Sequence, residues 1–266
     1  MALDFGKLNA GTASKQTDPR KIFTTLKRDG RFRRPLDEQS DVLDAWYARR
    51  SARDLTLKMN TGGGKTVVGL LCLQSSLNEN VKPAVYITPD SFLVAQVLAE
   101  ADALGIAATD DEKDPDFIAG RAILVANVHK LFNGRSVFGV GEKKIPIGCI
   151  VIDDAHACLG VVHDQFCIKS KAGSPVYDGL LELFEEDLKT QSPSGLLDIK
   201  AEDFSVVMTV PYWAWQAHQD EVLGLLHNHR NSKELEWNWP LLNDSIPLCT
   251  CVFGGGRLEI APRFVP

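Results

Sequence analysis

No stretch of the 266-residue sequence approaches the roughly 18 consecutive apolar residues needed to cross a bilayer. The opening MALDFGKLNAGTASKQTDPRK (1–21) lacks the apolar middle of a secretion signal. A cytoplasmic chain without a membrane partner is expected. None of the six cysteines (Cys72, Cys149, Cys158, Cys167, Cys249, Cys251) forms a C-x-x-C pair, and most sit in apolar runs where a small reduced thiol packs well. A zinc site built from Cys249, Cys251 and a distant histidine is the alternative for that pair. Compositional bias is missing too: 44% apolar, 24% charged and 8% aromatic residues exclude a disordered, collagenous or disulfide-stapled chain. There is no internal repeat, and the length allows one large domain or two small ones.

What is present is unevenly distributed. Residues 1–58 hold 13 Lys/Arg against 8 Asp/Glu, and residues 59–266 hold 16 against 27, so a basic leader of +5 precedes a body of −11 within a total of −6. The densest basic stretch, KRDGRFRR (27–34), can either touch phosphates or lie as a solvated face. Four of the five tryptophans (Trp213, Trp215, Trp237, Trp239) fall late in the chain. They can stack nucleic-acid bases or cap a local apolar cluster, and the acidic surroundings favour the cluster.

The first 20 or so residues are polar and without periodicity, as in a loose arm. Residues 35–50 carry Leu36, Val42, Leu43, Trp46 and Tyr47 at helical spacing. A run through Leu55, Leu57 and Met59 predicts a strand ending in glycines, followed by a helix from Val67 to Leu77. AVYIT (84–88), a helix from Phe92 to Leu104, AILVA (122–126) and CIVID (149–153) continue the alternation. Nearly continuous apolar strands separated by helices predict an α/β fold with a mostly parallel sheet buried on both faces. Further on, YDGLLELFEEDLK (177–189) reads as an amphipathic helix, SVVMTV (205–210) as a strand, and TCVFGGGRLEI (250–260) as a small hairpin around a glycine turn.

The strongest chemical motif is MNTGGGKT (59–66), which satisfies G-x-x-x-x-G-K-[ST] except that Met59 stands at the first position. Glycines at such a strand-to-helix turn let backbone N–H groups face phosphate oxygens, and the helix N-terminus adds partial positive charge. In that reading Gly62, Gly63, Gly64 and Lys65 cradle phosphates and the Thr66 hydroxyl offers a ligand to Mg²⁺. The second motif is CIVIDDAH (149–156), an apolar strand ending in two carboxylates and a histidine, whose Asp153 lies 88 residues beyond Lys65. Asp153 is the metal candidate and Asp154 the candidate base for an attacking water.

Together T-G-G-G-K-T (61–66) and D-D-A-H (153–156) resemble motifs I and II of superfamily 2 DEAD/DEAH-box helicases. RRPLDEQ (33–39) resembles the adenine-reading segment upstream of motif I. YITPDSFLVAQV (86–97) and ILVANVHKLFNGRS (123–136) are similar to the nucleic-acid-facing motifs that follow. The resemblance covers about 32 to 156. It implies a RecA-like ATP-binding domain (32–215), preceded by a polar and basic arm (1–31) and followed by an extension (216–266). It further implies ATP and Mg²⁺ as cofactors, with Gln39 contacting the base, Thr61 to Thr66 holding the nucleotide, and His156 coupling nucleotide state to a nucleic-acid backbone. Lys65, Asp153, Asp154 and His156 are then the catalytic set, and Thr66 and Asp153 the metal ligands. The K-M-x-T-G-x-G-K-T form of the loop resembles that of helicase-like proteins in restriction or phage-defence systems, which implies partner subunits of that kind.

Two departures shape the expectation. Asp154 replaces the family's usual glutamate and is one methylene shorter. A displacement near 1 Å costs on the order of 100-fold in rate when it misplaces a reacting group. Neither a Ser-Ala-Thr motif nor a second RecA-like domain is evident: VMTVP (207–211) matches only at Thr209 and Pro211, and 110 residues follow His156. The expectation is a front half of a longer motor, completed by a second RecA-like domain in cis or in trans. A non-catalytic nucleotide-binding or interaction module is the alternative. Another phosphate-loop enzyme, such as a kinase or a AAA-type ATPase, has no need of Gln39 or of the Asp-x-x-His ending.

Overall fold

A computed structural model describes residues 15–139 and 144–263, and within them the chain forms two units. The first holds the described residues up to Asn127 together with Pro146–Asp154; the second holds the segment from Val128 to Ile145 and everything from Ala155 onward. The division falls inside the 32–215 span.

In chain order the first unit contains α1 (Pro19–Thr25), α2 (Asp37–Arg49), α3 (Lys65–Asn78), β1 (Ala84–Thr88), α4 (Ser91–Leu104), β2 (Ala108–Thr109), α5 (Pro115–Ile118) and β3 (Ile123–Asn127). After α6 (Val128–Leu131), which belongs to the second unit, comes β4 (Cys149–Ile152). The four strands form an all-parallel sheet in the order β2-β3-β1-β4, with Ala84 of β1 opposite both Ile123 and Cys149. All five residues of β1 are buried, as a continuous apolar run requires in the middle of a sheet. The edge strand β4 differs from the expectation of burial on both faces. Ile150 and Ile152 are 40% and 42% exposed, because among the described residues β4 pairs on one side, with β1, and α3 packs on the Val151 face.

One apolar cluster joins Val67, Leu70, Leu71 and Leu73 of α3 and Val97, Ala101 and Leu104 of α4 to Tyr86 and Val125 in the sheet. Gly69 permits the closest approach. A Cβ there would stand 2.7 Å from a Tyr86 ring carbon and 3.1 Å from Val151, so α3 lies flush on the strands.

Three expectations are corrected. The run Leu55–Met59 joins no ladder among the described residues, and Leu55 and Leu57 stay 37% and 41% exposed. Thr56 and Lys58 alternate with the leucines, and a sheet covered on both faces would bury those polar groups without partners. Residues 19–25, within the expected arm, form α1. Asp18 caps the helix by accepting from the Arg20 and Lys21 amides, and Ile22 and Phe23 are buried in the main cluster. Residues 1–14 of that arm lie outside the described residues. The third correction concerns 177–189, described below.

The second unit continues with α7 (Ala155–Gln165), β5 (Ile168–Lys171), α8 (Pro175–Leu183), α9 (Glu185–Gln191), α10 (Pro193–Lys200), β6 (Val207–Thr209), α11 (Tyr212–Ala217), α12 (Gln219–Asn228), α13 (Trp239–Leu242), β7 (Cys249–Gly254) and β8 (Arg257–Pro262). Its sheet is antiparallel in the order β5-β8-β7-β6, with the expected hairpin formed by β7 and β8. The strand within SVVMTV is β6, and it pairs with β7 of this sheet rather than with the parallel one. The single helix expected over 177–189 is broken at Phe184. That fully buried side chain stacks on Trp215 at 5.8 Å, and its backbone leaves the helical region at φ −102°. Trp215 and Trp239 belong to the core cluster, and the Trp215 indole N–H donates to the Ile246 carbonyl at 3.0 Å. Trp213 and Trp237 face solvent, with the Arg135 guanidinium 4.4 Å from the Trp237 ring. The cysteines are free, and all but Cys149 are buried. Among the described residues no cluster of three His, Cys, Asp or Glu side chains could hold a metal ion, which leaves the Cys249–Cys251 zinc alternative without support. No helix among them is long and apolar enough to cross a membrane.

Candidate functional site

The C-terminal ends of the three longest parallel strands carry Thr88, Asn127 and Asp153, the end at which open α/β sheets take ligands. The Asn127 side chain donates to the Ser91 hydroxyl at 2.7 Å, which ties the end of β3 to the start of α4. The Asp153 amide still donates to the Ile87 carbonyl at 2.8 Å, so β4 holds the residue that follows it in line.

Beside this end lies the glycine-rich loop. Gly62 and Gly64 take the left-handed conformation at φ 81° and 72°, which side chains rarely adopt, and the Gly63 amide donates back to the Asn60 carbonyl at 3.1 Å. The chain then enters the 14-residue α3 at Lys65 with no side-chain cap on the helix start. The first amides of a helix have no intrahelical acceptor, so a turn of this form presents N–H donors and partial positive charge together. Thr61, Gly62 and Lys65 are exposed, and Gly64 and Thr66 are half-buried.

Two α2 side chains brace the loop. Gln39, 5% exposed, uses both ends of its amide: Oε1 accepts from the Leu36 amide at 2.9 Å and Nε2 donates to the Gly64 carbonyl at 3.3 Å. Any Cβ at Gly64 would meet that Nε2, so the glycine and the glutamine are packed for each other. Glu38 accepts from the Asn60 amide at 3.4 Å, a contact with no counterpart in the sequence motifs.

The loop and the strand-end acid meet through Tyr86, in the middle of β1. Its hydroxyl donates to Asp153 Oδ2 at 3.1 Å, and its ring lies against Gly69 of α3, one turn beyond Thr66. Burial pushes the phenol pKa far up, and the charge and hydrogen bond of Asp153 add to the shift, so Tyr86 stays a protonated donor. Burial raises the pKa of Glu100 on α4, with the Thr66 side chain and the Arg31 charge pulling against the shift and the Asp153 charge adding to it. Tyr86 opens the stretch 86–97 that resembles a nucleic-acid-facing motif, and its bond to Asp153 is a role that the resemblance does not supply. The available hint was a phenol hydroxyl within the mostly apolar segment AVYIT.

Asp154 is exposed and left-handed at φ 45°, a conformation that aspartate tolerates better than most residues. Its amide donates to Asp153 Oδ1 at 3.0 Å, so the turn after β4 is stabilised by the carboxylate before it. His156 is exposed in the first turn of α7, in the second unit. In the basic stretch, Arg28 is turned inward onto the Phe23 and Phe32 carbonyls and Arg31 pairs with Asp29 at 2.7 Å, while Lys27, Arg33 and Arg34 are exposed.

The donors fit the groups this geometry suggests. Thr66 supplies a hydroxyl and Asp153 a carboxylate, both hard oxygen ligands of the kind Mg²⁺ takes when it keeps several waters and shares the rest with phosphates. The glycine turn at an uncapped helix start suits a phosphate chain.

Comparison with protein families matches residues 37–170, half of the chain, to the model described as DEAD/DEAH box helicase. No match is found among curated proteins or among solved structures.

Proposed function

The chain belongs to the DEAD/DEAH box helicase family, and on that premise we propose that it binds ATP with Mg²⁺ at the 59–66 loop and hydrolyses it in response to nucleic acid when a second RecA-like domain completes the site. The observation that carries this reading is the left-handed glycine turn that opens into the uncapped start of α3, a helix that Gly69 seats against Tyr86, whose hydroxyl donates to Asp153 at the end of β4.

The residues divide the work by chemistry. Backbone N–H groups of the glycine turn and the start of α3 face the phosphates, and the Lys65 ammonium neutralises charge on them as a mobile point charge. Thr66 and Asp153 are the protein ligands for Mg²⁺, which when bound withdraws charge from the phosphate oxygens. Asp154, next to Asp153 and exposed, is the group that orients or deprotonates the attacking water. With its short side chain, turnover should be slow without the second domain, whose arginines in comparable enzymes contribute about 10³ to 10⁵ in rate. Gln39 stands where a base contact would also steady Gly64, so occupancy of the base site and the shape of the loop are coupled. His156, two residues along the chain from Asp154, is the residue that couples nucleotide state to nucleic-acid binding in this reading. The exposed Lys27, Arg33 and Arg34 offer local phosphate contacts on an otherwise acidic chain.

Phosphate release measured with and without single- and double-stranded DNA and RNA tests the proposal. A rise that depends on nucleic acid and vanishes in Asp153→Asn is the expected result. ATP binding with turnover at background in both the wild type and Asp154→Glu, whatever nucleic acid or second domain is added, would instead favour a non-catalytic module.

A further inference from the structure

We infer that the second unit carries a binding site for an unpaired nucleobase and its phosphate, lined by Tyr212 and Trp213 of α11 and by Arg263. The site uses no residue of the 59–66 loop, so it stands or falls apart from the ATP reading.

Two tryptophans on one short helix set the geometry. Trp213 and Trp215 are two positions apart, about 200° around α11, so they face different ways. Trp215 turns into the core cluster and commits its N–H to the Ile246 carbonyl, whereas Trp213 is 73% exposed and Tyr212 55% exposed. All three border a cleft of about 540 Å³, within the roughly 300 to 1,000 Å³ of small-ligand sites.

The charged lining of the cleft is as informative as its aromatic one. Arg263, exposed after β8, holds its guanidinium 5.2 Å from the centre of the Tyr212 ring, and its amide donates to the Leu248 carbonyl at 3.2 Å. Among the described residues it forms no ion pair, and its planar N–H fork suits a phosphate. Asp187, half-buried, and Gln191 are four residues apart on α9 and share one helix face, and both line the cleft. The carboxylate offers acceptors only, and the amide offers both donors and an acceptor.

These groups select the ligand class. It must present a flat apolar face to the aromatic pair, N–H donors to Asp187 and negative charge to Arg263. A nucleotide has all three, since every base has a π-face and carries its phosphate with it. An apolar protein side chain would leave the Asp187 carboxylate desolvated without a donor, and a Lys or Arg side chain would meet Arg263 with like charge. Stacking tolerates every base, so Asp187 supplies the preference. Guanine, with adjacent N–H donors on its pairing edge, suits a carboxylate best, and uracil, with one N–H between two carbonyls, suits it worst. Pairing in a duplex occupies that edge, so the base must be unpaired.

Tryptophan emission titrated with GMP and UMP, in a Lys65→Ala background without Mg²⁺, tests the site with the phosphate loop disabled. A short single strand and its duplex are added as competitors. GMP should quench the emission and bind more tightly than UMP, and Asp187→Asn should level the two. Trp213→Ala, followed by calorimetry and checked by thermal melts, should weaken GMP about 5- to 150-fold. Arg263→Ala should weaken it about 10-fold, while ATP binding at an intact loop is unchanged in both variants. Competition by the single strand but not the duplex makes a strand the source of the base, and GMP binding without it makes the source a free nucleotide. No saturable binding of GMP or single strand, equal affinity in folded Trp213→Ala, or equal competition by the duplex overturns the site. A response to an acidic aromatic peptide in place of nucleotides overturns it too and gives the cleft to a protein partner.

Discussion

Replacing Lys65 by alanine should weaken ATP binding by about 30- to 150-fold, and the loss should appear with and without Mg²⁺. The ammonium is placed as a direct partner of the phosphates, and a hydrogen bond to a charged group is worth about 1.5 to 3 kcal/mol. The upper part of that range applies because the substitution leaves phosphate charge facing a loop that has no other cationic side chain between Met59 and Thr66. Lys65 is exposed at the start of α3, outside the apolar cluster, so the variant should fold as the wild type does. Titration calorimetry on the two proteins reads the difference, and equal affinities would remove the loop from the account.

Asp153→Asn should have a different profile. Nucleotide affinity in EDTA should change little, whereas the gain in affinity on adding Mg²⁺ should fall on the order of 100-fold, the upper end for disturbed metal sites. The amide still reaches the cation through one oxygen but has lost the charge that balances it. It also loses its role as a two-sided acceptor, since Tyr86 and the Asp154 amide both donate to this side chain and an asparagine has one carbonyl oxygen to offer. The left-handed turn at Asp154 is then held less firmly, and ATP turnover should drop further than the affinity alone would require. A Mg²⁺ titration of nucleotide affinity, with phosphate release measured at saturating Mg²⁺, separates the two effects. An unchanged Mg²⁺ enhancement would contradict the assignment of Asp153.

The sequence was most informative where a segment's surroundings are set by its own composition. AVYIT, AILVA and CIVID are short apolar runs, and they are the long strands of the parallel sheet within a residue of their expected ends. The hairpin around Gly254, Gly255 and Gly256 was legible for the same reason. Errors arose where a neighbour decides. Leu55, Leu57 and Met59 have the spacing of a strand, yet they join no ladder among the described residues, where a sheet covered on both faces would bury the alternating Thr56 and Lys58 without partners. Phe184 interrupts an otherwise helical pattern because Trp215, 31 residues later, offers a stacking surface that the local sequence does not announce. Ile22 and Phe23 fall in the expected arm (1–31), yet they are buried in a cluster whose other members come mainly from α3, α4 and the sheet.

The candidate site divides in the same way. The glycine loop and the acid pair are contiguous in sequence, since a phosphate turn and a strand-end carboxylate are local devices. Tyr86 reaches Asp153 by tertiary packing, from the middle of a strand, where spacing alone reads as core. Gln39 was visible as a candidate base contact, but its grip on Leu36 and Gly64 depends on α2 lying against the loop.

The central claim is that the 59–66 loop and the end of β4 form one nucleotide site, and hydrogen–deuterium exchange with a non-hydrolysable ATP analogue and Mg²⁺ tests it most directly. The account predicts slowed exchange concentrated in peptides covering residues 59–70 and 149–154, reduced when Mg²⁺ is withheld. Protection confined to other segments, or none at saturating analogue, would contradict it.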